Sequence, residues 1–279
     1  DLQHLLLKMK LIDCFMYFDE DLMLDIRLNT LVDIVDKFVI CEATRVHAGN
    51  KKNLNFKREN FLNFKDKIDY IVVEDLPLKV QSNKKNWHEN HVRDQFQRNA
   101  ISRGIEKFEP DDLIMISDID EIPDPKKIRE FNIKKKYACF LQKNFQSKIN
   151  LLNITDEYWP GTKICQKKYL KSPQWLRNIK TKKIPFWKIF SEKQPQLIKD
   201  GGWHFSFLKT PEDIKKKINS YSHQEFNTSN FTDVEKIEDK ISKRKDLFER
   251  KINYKTVSID NSFPEYIVKN KDKFKDWIL

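Results

Sequence analysis

The feature that most constrains the fold of this chain is the alternation of short apolar segments with amphipathic ones. Residues 37–41 and 69–73 are nearly continuous apolar runs, as is typical of strands buried on both faces of a parallel sheet. Residues 20–35 and 88–108 carry apolar side chains about four positions apart, which predicts two helices with one buried face each. Alternating strands and helices form βαβ units, so this half predicts an α/β fold with a mostly parallel sheet.

The second half of the chain is less regular. The apolar segments there predict strands at residues 138–146, 149–153 and 184–190. A turn between them is predicted by Trp159-Pro160-Gly161-Thr162. Lysine-rich amphipathic helices are predicted at residues 211–221, 233–251 and 264–278. The expected architecture is therefore a mixed, mostly parallel sheet flanked by helices, with further helices at the C-terminal end.

The chain shows no internal division into domains. No repeat or Gly/Ser-rich linker interrupts it, so residues 9–279 are expected to form a single domain. Residues 1–8 precede Met9 and the first strand-like segment, and we expect them to be an added leader. No apolar run approaches the roughly 20 residues that are needed to cross a bilayer.

The amino-acid composition gives limited information about the binding partners and the cellular compartment of the protein. The net charge of +11 favours anionic partners, although the lysines are spread along the chain as they are on solvated helix faces. The four cysteines show no Cys-x-x-Cys spacing, which favours reduced, buried thiols in a cytoplasmic protein. They are Cys14, Cys41, Cys139 and Cys165.

An acidic segment follows the predicted strand at residues 112–117. Ligands of open α/β sheets bind beyond the carboxyl ends of the strands, so Asp118-Ile119-Asp120 lies where a site is expected. In an extended segment the two carboxylates would point to one side while Ile119 packs beneath. Two carboxylate ligands suit Mg²⁺ or Mn²⁺, which could bind the oxygens of a diphosphate.

Other interpretations of Asp118 and Asp120 have to be weighed. Most Asp-x-Asp triplets cap a helix or end a strand. A phosphatase with an aspartate nucleophile would have threonine two positions after the second aspartate, where this chain has Ile122. A metal-dependent phosphate hydrolase nevertheless stays open as an alternative.

Several ordered segments make the chain resemble glycosyltransferase family 17, whose animal members are bisecting β-1,4-N-acetylglucosaminyltransferases. The resemblance extends over nearly all of residues 9–279. The matching segments are Asp13-Cys14-Phe15, Phe18, Glu20, Ile26-Arg27-Leu28-Asn29, Phe38-Val39-Ile40-Cys41-Glu42, His47-Ala48-Gly49, Gln97-Arg98-Asn99-Ala100, Pro110-Asp111-Asp112-Leu113, Ser117-Asp118-Ile119-Asp120-Glu121-Ile122-Pro123, Pro160-Gly161-Thr162 and Gly202-Trp203-His204-Phe205-Ser206.

The resemblance implies a Rossmann-like domain of the GT-A type that transfers a sugar with inversion at the anomeric carbon. The donor would be a nucleotide-sugar, with UDP-N-acetylglucosamine favoured, and Mn²⁺ or Mg²⁺ would be held at Asp118 and Asp120. The animal members carry a membrane anchor and stem; we expect this chain to have neither, which disfavours an N-glycan acceptor. An oligosaccharide, a bacterial or viral surface polysaccharide or a lipid-linked glycan is expected instead, the last with peripheral contact to a membrane.

His204 is the expected third metal ligand, because a histidine late in the chain often completes the metal site of GT-A enzymes. Its alternative interpretation is a histidine that is hydrogen-bonded within an aromatic core. Trp203 could stack on a sugar ring or could simply be packed in the core.

Three further residues are candidates for donor binding, together with Asp118. Glu42 ends the second predicted strand and could accept hydrogen bonds from ribose or base, or it could cap a turn. On the helix before the acidic strand, Arg93 and Arg98 are turned about 140° from each other, so at most one is expected to face the donor. Arg98 is preferred, together with Asn99, because both lie in a segment shared with the family.

An inverting transfer needs a base that deprotonates the acceptor hydroxyl. The candidates are Glu121, beside the metal pair, and Glu225, in the segment 222–226. Each has an alternative interpretation, Glu121 as a turn cap and Glu225 as a surface carboxylate. A basic nucleic-acid-binding protein is the remaining rival, but the chain carries no recognised binding motif, so nucleic acid is not expected among its partners.

Overall fold

A computed structural model of the protein describes residues 9–78, 89–182, 194–220 and 228–279. Four parallel strands form one half of its sheet, in the order β4-β1-β2-β3. They are β1 (Leu11–Met16), β2 (Lys37–Ala43), β3 (Ile68–Val73) and β4 (Leu113–Ser117). All four predicted strands of this half are confirmed.

Helices connect these strands as predicted, with shorter bounds. α1 (Asp21–Leu31) follows β1 and buries Leu24, Leu28 and Leu31 against the sheet. The second predicted helix is divided into α2 (Glu89–Ala100) and α3 (Ser102–Ile105), and its first predicted residue, His88, lies outside the described residues.

The other half of the sheet mixes parallel and antiparallel strands. β8 lies between β4 and β6 and is antiparallel to both, while β10 is parallel to β6 and antiparallel to β5. The strands are β5 (Glu121–Pro123), β6 (Tyr137–Gln146), β7 (Leu151–Asn153), β8 (Tyr158–Gln166), β9 (Gln196–Ile198), β10 (Gly202–Ser206) and β11 (Tyr254–Thr256). The expected mixed α/β sheet is confirmed, whereas the strand predicted at residues 184–190 lies outside the described ranges.

The turn predicted at residues 159–162 is wrong, because these residues lie within β8. Proline is tolerated there because the pairing of β8 with β4 begins only at Lys163, so the strand edge at Pro160 needs no donor on that side. Gly161 permits a close approach, since a Cβ atom at this position would lie 1.7 Å from Oε1 of Gln142. Proline and glycine here lie within a strand that packs closely against β6, not in a turn.

The C-terminal helices are present but shorter than predicted. The helix predicted at 233–251 ends at Ser242, and the one predicted at 264–278 is interrupted at Asn270, whose φ and ψ of −123° and 38° are not helical. The helices after β5 are α4 (Pro125–Ile128), α5 (Pro173–Asn178), α6 (Pro211–Ser220), α7 (Ser229–Thr232), α8 (Val234–Ser242) and α9 (Glu265–Lys269). Short 3₁₀ segments lie between β2 and β3, at Arg58–Phe64, and later at Lys167–Tyr169 and Lys271–Trp277.

Two apolar layers cover the opposite faces of the sheet. Successive side chains of a strand point to opposite faces, and accordingly Leu11 and Phe15 pack in one layer while Ile12 and Cys14 pack in the other. All four cysteines are buried and form no disulfide, as predicted. Within the described ranges, no helix is both long and apolar enough to span a membrane.

Candidate active site

A cavity of about 740 Å³ lies at the carboxyl ends of β1 and β4, which is the expected place for a ligand in this type of sheet. Its volume is within the usual range for small-molecule sites. β4 is followed there by Asp118 and Asp120, and β10 contributes His204. The sequence prediction that Asp118, Asp120 and His204 share one site is therefore supported by their positions.

The segment Asp118-Ile119-Asp120 forms a tight turn, not the extended segment that was expected. The backbone N–H of Glu121 donates to the carbonyl of Asp118 at 3.0 Å, which closes this turn. Ile119 is buried in the apolar layer beneath, as predicted. Both aspartates still face the cavity, because the turn lies at its wall.

Two arginines bind the carboxylate of Asp118. Nη2 of Arg98 donates to Oδ1 at 3.1 Å, and Nη2 of Arg177 donates to Oδ2 at 3.1 Å. Burial raises the pKa of Asp118, but the charges of Arg177 and Arg98 outweigh this effect and hold the pKa well below its usual range. Asp118 is therefore a carboxylate that stays ionised, with 39% of its side chain exposed.

Asp120 has a different environment. Its Oδ1 lies 3.8 Å from Nε2 of His204, and its Oδ2 lies 3.7 Å from Nζ of Lys217 on α6. The other ring nitrogen of His204, Nδ1, lies 3.0 Å from Oδ1 of Asn144. Because Asn144 engages Nδ1, Nε2 of His204 is directed at Asp120.

The residues fit a divalent cation only in part. Ligands bind such ions at about 2.0–2.2 Å, so two ligands of one ion can lie about as far apart as Asp120 and His204 do. Asp118 does not fit as a ligand in this arrangement, since both of its oxygens are engaged by arginines. In the described part of the chain, no three His, Cys, Asp or Glu side chains are grouped closely enough to hold a metal. The predicted three-ligand site is thus not assembled here.

A buried arginine on α1 holds the turn in place. Arg27 forms an ion pair with Asp13 at 2.6 Å, and neither side chain is exposed. Its Nη1 donates to three carbonyls, of Asp118, Ile119 and Glu121, at 3.2, 3.2 and 2.7 Å. Sequence reasoning gave Arg27 no role, although a charged residue among the apolar positions of α1 was the available signal.

Glu121 does not fit the predicted role of base, because its side chain is fully buried and does not line the cavity. Arg177 binds both carboxylate oxygens, at 2.8 and 2.9 Å. Nε1 of Trp159 and the N–H of Asp118 also donate to this carboxylate, at 2.7 and 3.0 Å. The second candidate, Glu225, lies outside the described residues.

Glu42, predicted to bind the donor, is also fully buried and does not line the cavity. Its carboxylate accepts hydrogen bonds from Lys52, from the N–H groups of Asn55 and Phe56 and from the hydroxyl of Tyr70. Because each oxygen is engaged within the chain, direct binding of a nucleotide by Glu42 does not fit this geometry. Glu42 instead holds the segment that carries Lys52, which does line the cavity.

The two arginines of α2 point in different directions, as the helical spacing predicts. Arg98 lines the cavity and binds Asp118. Arg93 donates to the carbonyls of Pro77, His47 and Leu78 and lies outside the cavity lining. Asn99, the other residue predicted on α2, is exposed and accepts a hydrogen bond from the N–H of Gln174 at 3.0 Å, so it is not part of the cavity wall.

Arg177 was not found by sequence reasoning. It lies on α5, and its Nη1 also donates to the carbonyl of Gly161 at 3.0 Å. Burial lowers the pKa of Arg177, but the charges of Glu121 and Asp118 outweigh it and raise the pKa above its ordinary value. No sequence signal distinguishes Arg177 from the many other basic residues, because its partners are 56 and 59 positions away.

Aromatic and cationic residues complete the cavity. The ring of Trp159 stacks on that of His204 with centroids 4.7 Å apart, and 39% of Trp159 stays exposed. Further lining residues, from the segments after β1 and β2 and from the C-terminal region, are Tyr17, Phe18, Arg45, His47, Lys52, Phe248 and Arg250.

Comparison with known proteins gives one family and several relatives. The model of glycosyltransferase family 17 matches residues 3–278. Proteins from Homo sapiens and Rattus norvegicus named beta-1,4-mannosyl-glycoprotein 4-beta-N-acetylglucosaminyltransferase are each 23% identical over 233 residues, and the Mus musculus protein of that name is 22% identical. These alignments cover 73% of this chain but only 41–42% of the relatives, so the chain spans less than half of their length.

Proposed function

We propose, from the premise that this chain belongs to glycosyltransferase family 17, that it transfers a sugar from a nucleotide-sugar to a glycan. The observation that carries the proposal is the turn at Asp118 to Asp120, which lies at the end of β4 in a cavity large enough for such a donor. N-acetylglucosamine is the favoured sugar, because the named relatives are N-acetylglucosaminyltransferases. UDP-N-acetylglucosamine is accordingly the favoured donor.

The charges around the cavity suit a diphosphate leaving group. Lys217 lies beside Asp120, and Arg45, Lys52 and Arg98 line the same cavity. A bound nucleoside diphosphate gains negative charge as the bond to the sugar breaks, so fixed cations near that group stabilise the transition state. The base and ribose fit best at the segments after β1 and β2, because nucleotides bind at the carboxyl ends of such strands.

Asp120 and His204 would hold a divalent cation, Mn²⁺ or Mg²⁺, with the diphosphate supplying further oxygen ligands. When bound, such a cation would neutralise charge on the departing diphosphate. Asp118 has a separate role in this proposal. It orients Arg98 at the cavity wall, binds Arg177 behind it and stays ionised to do so.

The acceptor is proposed to bind against Trp159. The exposed face of its indole can stack on a sugar ring, while its other face packs on His204 and its Nε1 is fixed by Glu121. A rigid aromatic surface next to the metal ligands would place an acceptor hydroxyl near the anomeric carbon. A lipid-linked acceptor, contact with a membrane surface and a cytoplasmic location all remain predictions.

Donor binding is the experiment that tests this function. Calorimetry with Mn²⁺ and a panel of nucleotide-sugars is expected to show binding of UDP-N-acetylglucosamine, which Asp120→Asn weakens by at least about tenfold. Asp124→Asn is the matched control, because Asp124 caps α4 outside the cavity and asparagine caps helices equally well.

Two outcomes would reject the proposal. One is that no nucleotide-sugar binds the wild-type protein with metal present, and the other is that Asp120→Asn binds as tightly as Asp124→Asn. Release of phosphate from simple phosphate esters would favour a hydrolase instead. Salt-sensitive binding of DNA or RNA that is unaffected by Asp120→Asn would favour a nucleic-acid-binding protein.

A further inference from the structure

Among the residues that the structure describes, five carboxylates line the cavity, and they differ in whether their oxygens are free to take a proton. A base must be within hydrogen-bond reach of the acceptor hydroxyl and must have an available lone pair. The buried carboxylate of Glu121 meets neither requirement. The five that line the cavity are Glu20, Asp94, Asp118, Asp120 and Asp156.

Four of these carboxylates are engaged by other groups of the chain. Arg98 binds Asp94 at 2.9 Å, and Arg98 and Arg177 both bind Asp118. Asp120 lies between His204 and Lys217. The fourth, Glu20, accepts from the N–H groups of Phe18 and Asp19 at 3.0 and 3.1 Å. A carboxylate that is already held by cations or N–H groups of the chain is less available to an acceptor hydroxyl, so these four are poor candidates.

Asp156 has a free carboxylate on a fixed backbone. Its N–H donates to Oδ1 of Asn153 at 2.8 Å, and its carbonyl accepts from Nδ2 of Asn144 at 3.1 Å. Among the residues that the structure describes, no donor binds the carboxylate itself, which is exposed to the cavity. The main chain of Asp156 is therefore held in position while its side chain is available to a ligand.

The position of Asp156 relative to the proposed metal ligands is set by Asn144. One end of the Asn144 amide binds the carbonyl of Asp156, and the other end binds His204. The Asn144 side chain thus links the backbone of Asp156 to His204, a proposed ligand of the cation. Asp156 is also two positions before Tyr158 and three before Trp159, which line the wall proposed for the acceptor.

We propose that Asp156 is the base of the transfer reaction, an inference that rests on the proposed function. Its carboxylate takes the proton of the acceptor hydroxyl while that oxygen forms a bond to the anomeric carbon. The bond from the anomeric carbon to the diphosphate breaks in the same step, and its electron pair leaves with the diphosphate. Attack from the face opposite the leaving group inverts the configuration.

The neighbouring Glu157 provides a matched control. It differs from Asp156 in being paired with Lys143 and in lying outside the cavity lining. Glu157→Gln therefore removes a carboxylate from the same segment without removing the proposed base. Glu225→Gln tests the other candidate from the sequence.

The experiment measures UDP release from UDP-N-acetylglucosamine with Mn²⁺, with water alone and with mannose- or N-acetylglucosamine-terminated oligosaccharides as acceptors. Asp156→Asn is expected to lower kcat by about 10²–10⁴-fold while the donor Kd, measured by calorimetry, changes by less than about twofold. Glu157→Gln and Glu225→Gln are expected to keep kcat within about threefold of wild type.

Three results would overturn the inference. The first is a kcat of Asp156→Asn that equals that of wild type. The second is a donor affinity of Asp156→Asn that falls in parallel with its kcat. The third is a loss of about 10²–10⁴-fold in the kcat of Glu225→Gln instead of Asp156→Asn. Failure of the proposed function has a different signature, because the wild-type protein itself would then bind no donor and release no UDP. Retained donor binding by Asp156→Asn also shows that the variant is folded.

Discussion

Replacement of Arg177 by methionine tests whether the site depends on a buried ion pair. Methionine keeps much of the length and apolar volume of arginine but removes its charge and all five N–H donors. In the native protein Arg177 binds both oxygens of Glu121, one oxygen of Asp118 and the carbonyl of Gly161. The substitution would leave the fully buried Glu121 without a cationic partner.

The expected loss is large because of burial. Only 13% of the Arg177 side chain and none of the Glu121 side chain is exposed. Removal of one partner of a buried pair costs about 3–5 kcal/mol in the free energy of unfolding, because the remaining charge stays in a poorly solvated position. That loss is a large part of the roughly 5–15 kcal/mol by which proteins are usually stable.

Urea unfolding followed by tryptophan fluorescence measures this effect, with Arg103→Met as the control. Arg103 also forms a two-point pair, with Asp75, but 42% and 58% of these two side chains are exposed. An exposed pair contributes only about 0–1 kcal/mol. The double variant Arg177→Met/Glu121→Gln is expected to lose less unfolding free energy than the two single variants lose together, by about 1–3 kcal/mol.

The reasoning would be refuted if Arg177→Met and Arg103→Met lowered the unfolding free energy equally. It would also be refuted if the effects of Arg177→Met and Glu121→Gln were simply additive. Either result would mean that the Arg177 pair contributes no more than a surface pair.

Three further predictions concern the turn at Asp118, a buried lysine and the proposed metal ligand. Arg27→Lys keeps the charge beside Asp13, but lysine cannot bind the three carbonyls of the turn at once. Because this turn carries Asp118 and Asp120, calorimetry should show a donor affinity reduced at least about tenfold. Burial, with the charge of Arg177, lowers the pKa of Lys163 from 10.5 to about 8. Between pH 8 and 10.5, Lys163 is therefore protonated to a greater extent in the unfolded chain than in the folded one. The unfolding free energy of wild type, measured in urea, should accordingly rise relative to that of Lys163→Met as the pH rises from about 8 to 10.5. His204→Ala should abolish most of any increase in donor affinity that Mn²⁺ causes.

The first half of the fold was predictable because its elements follow from local patterns. Continuous apolar runs indicated the parallel strands, and the spacing of Leu24, Leu28 and Leu31 indicated α1. β8 was missed because Pro160 and Gly161 are common in turns, whereas here they lie in a strand and Gly161 lets the Gln142 side chain of β6 approach closely. That approach depends on the pairing with β6, which no local pattern specifies.

The candidate site was predictable to a similar degree. Asp118 and Asp120, which line the cavity, were selected because they follow a strand, and His204 because of the family resemblance. Arg177 was missed because its partner Asp118 lies 59 positions away in the chain. Asp156 was missed because its place at the cavity depends on the hydrogen bond from Asn144, which no local pattern specifies. Glu42 was expected to bind the donor and Glu121 to act as the base, because both lie at strand ends. Carboxylates at strand ends can instead bind groups of the chain itself, as these two do.

The anomeric configuration of the product is the most direct test of the account. UDP-N-acetylglucosamine, in which the sugar is α-linked, would be incubated with the protein, Mn²⁺ and an oligosaccharide acceptor, and the product examined by NMR. The account predicts UDP release with a β-linked N-acetylglucosamine product, formed by wild type and Asp124→Asn but not by Asp120→Asn. An α-linked product, or a β-linked product formed equally by Asp120→Asn, would contradict it.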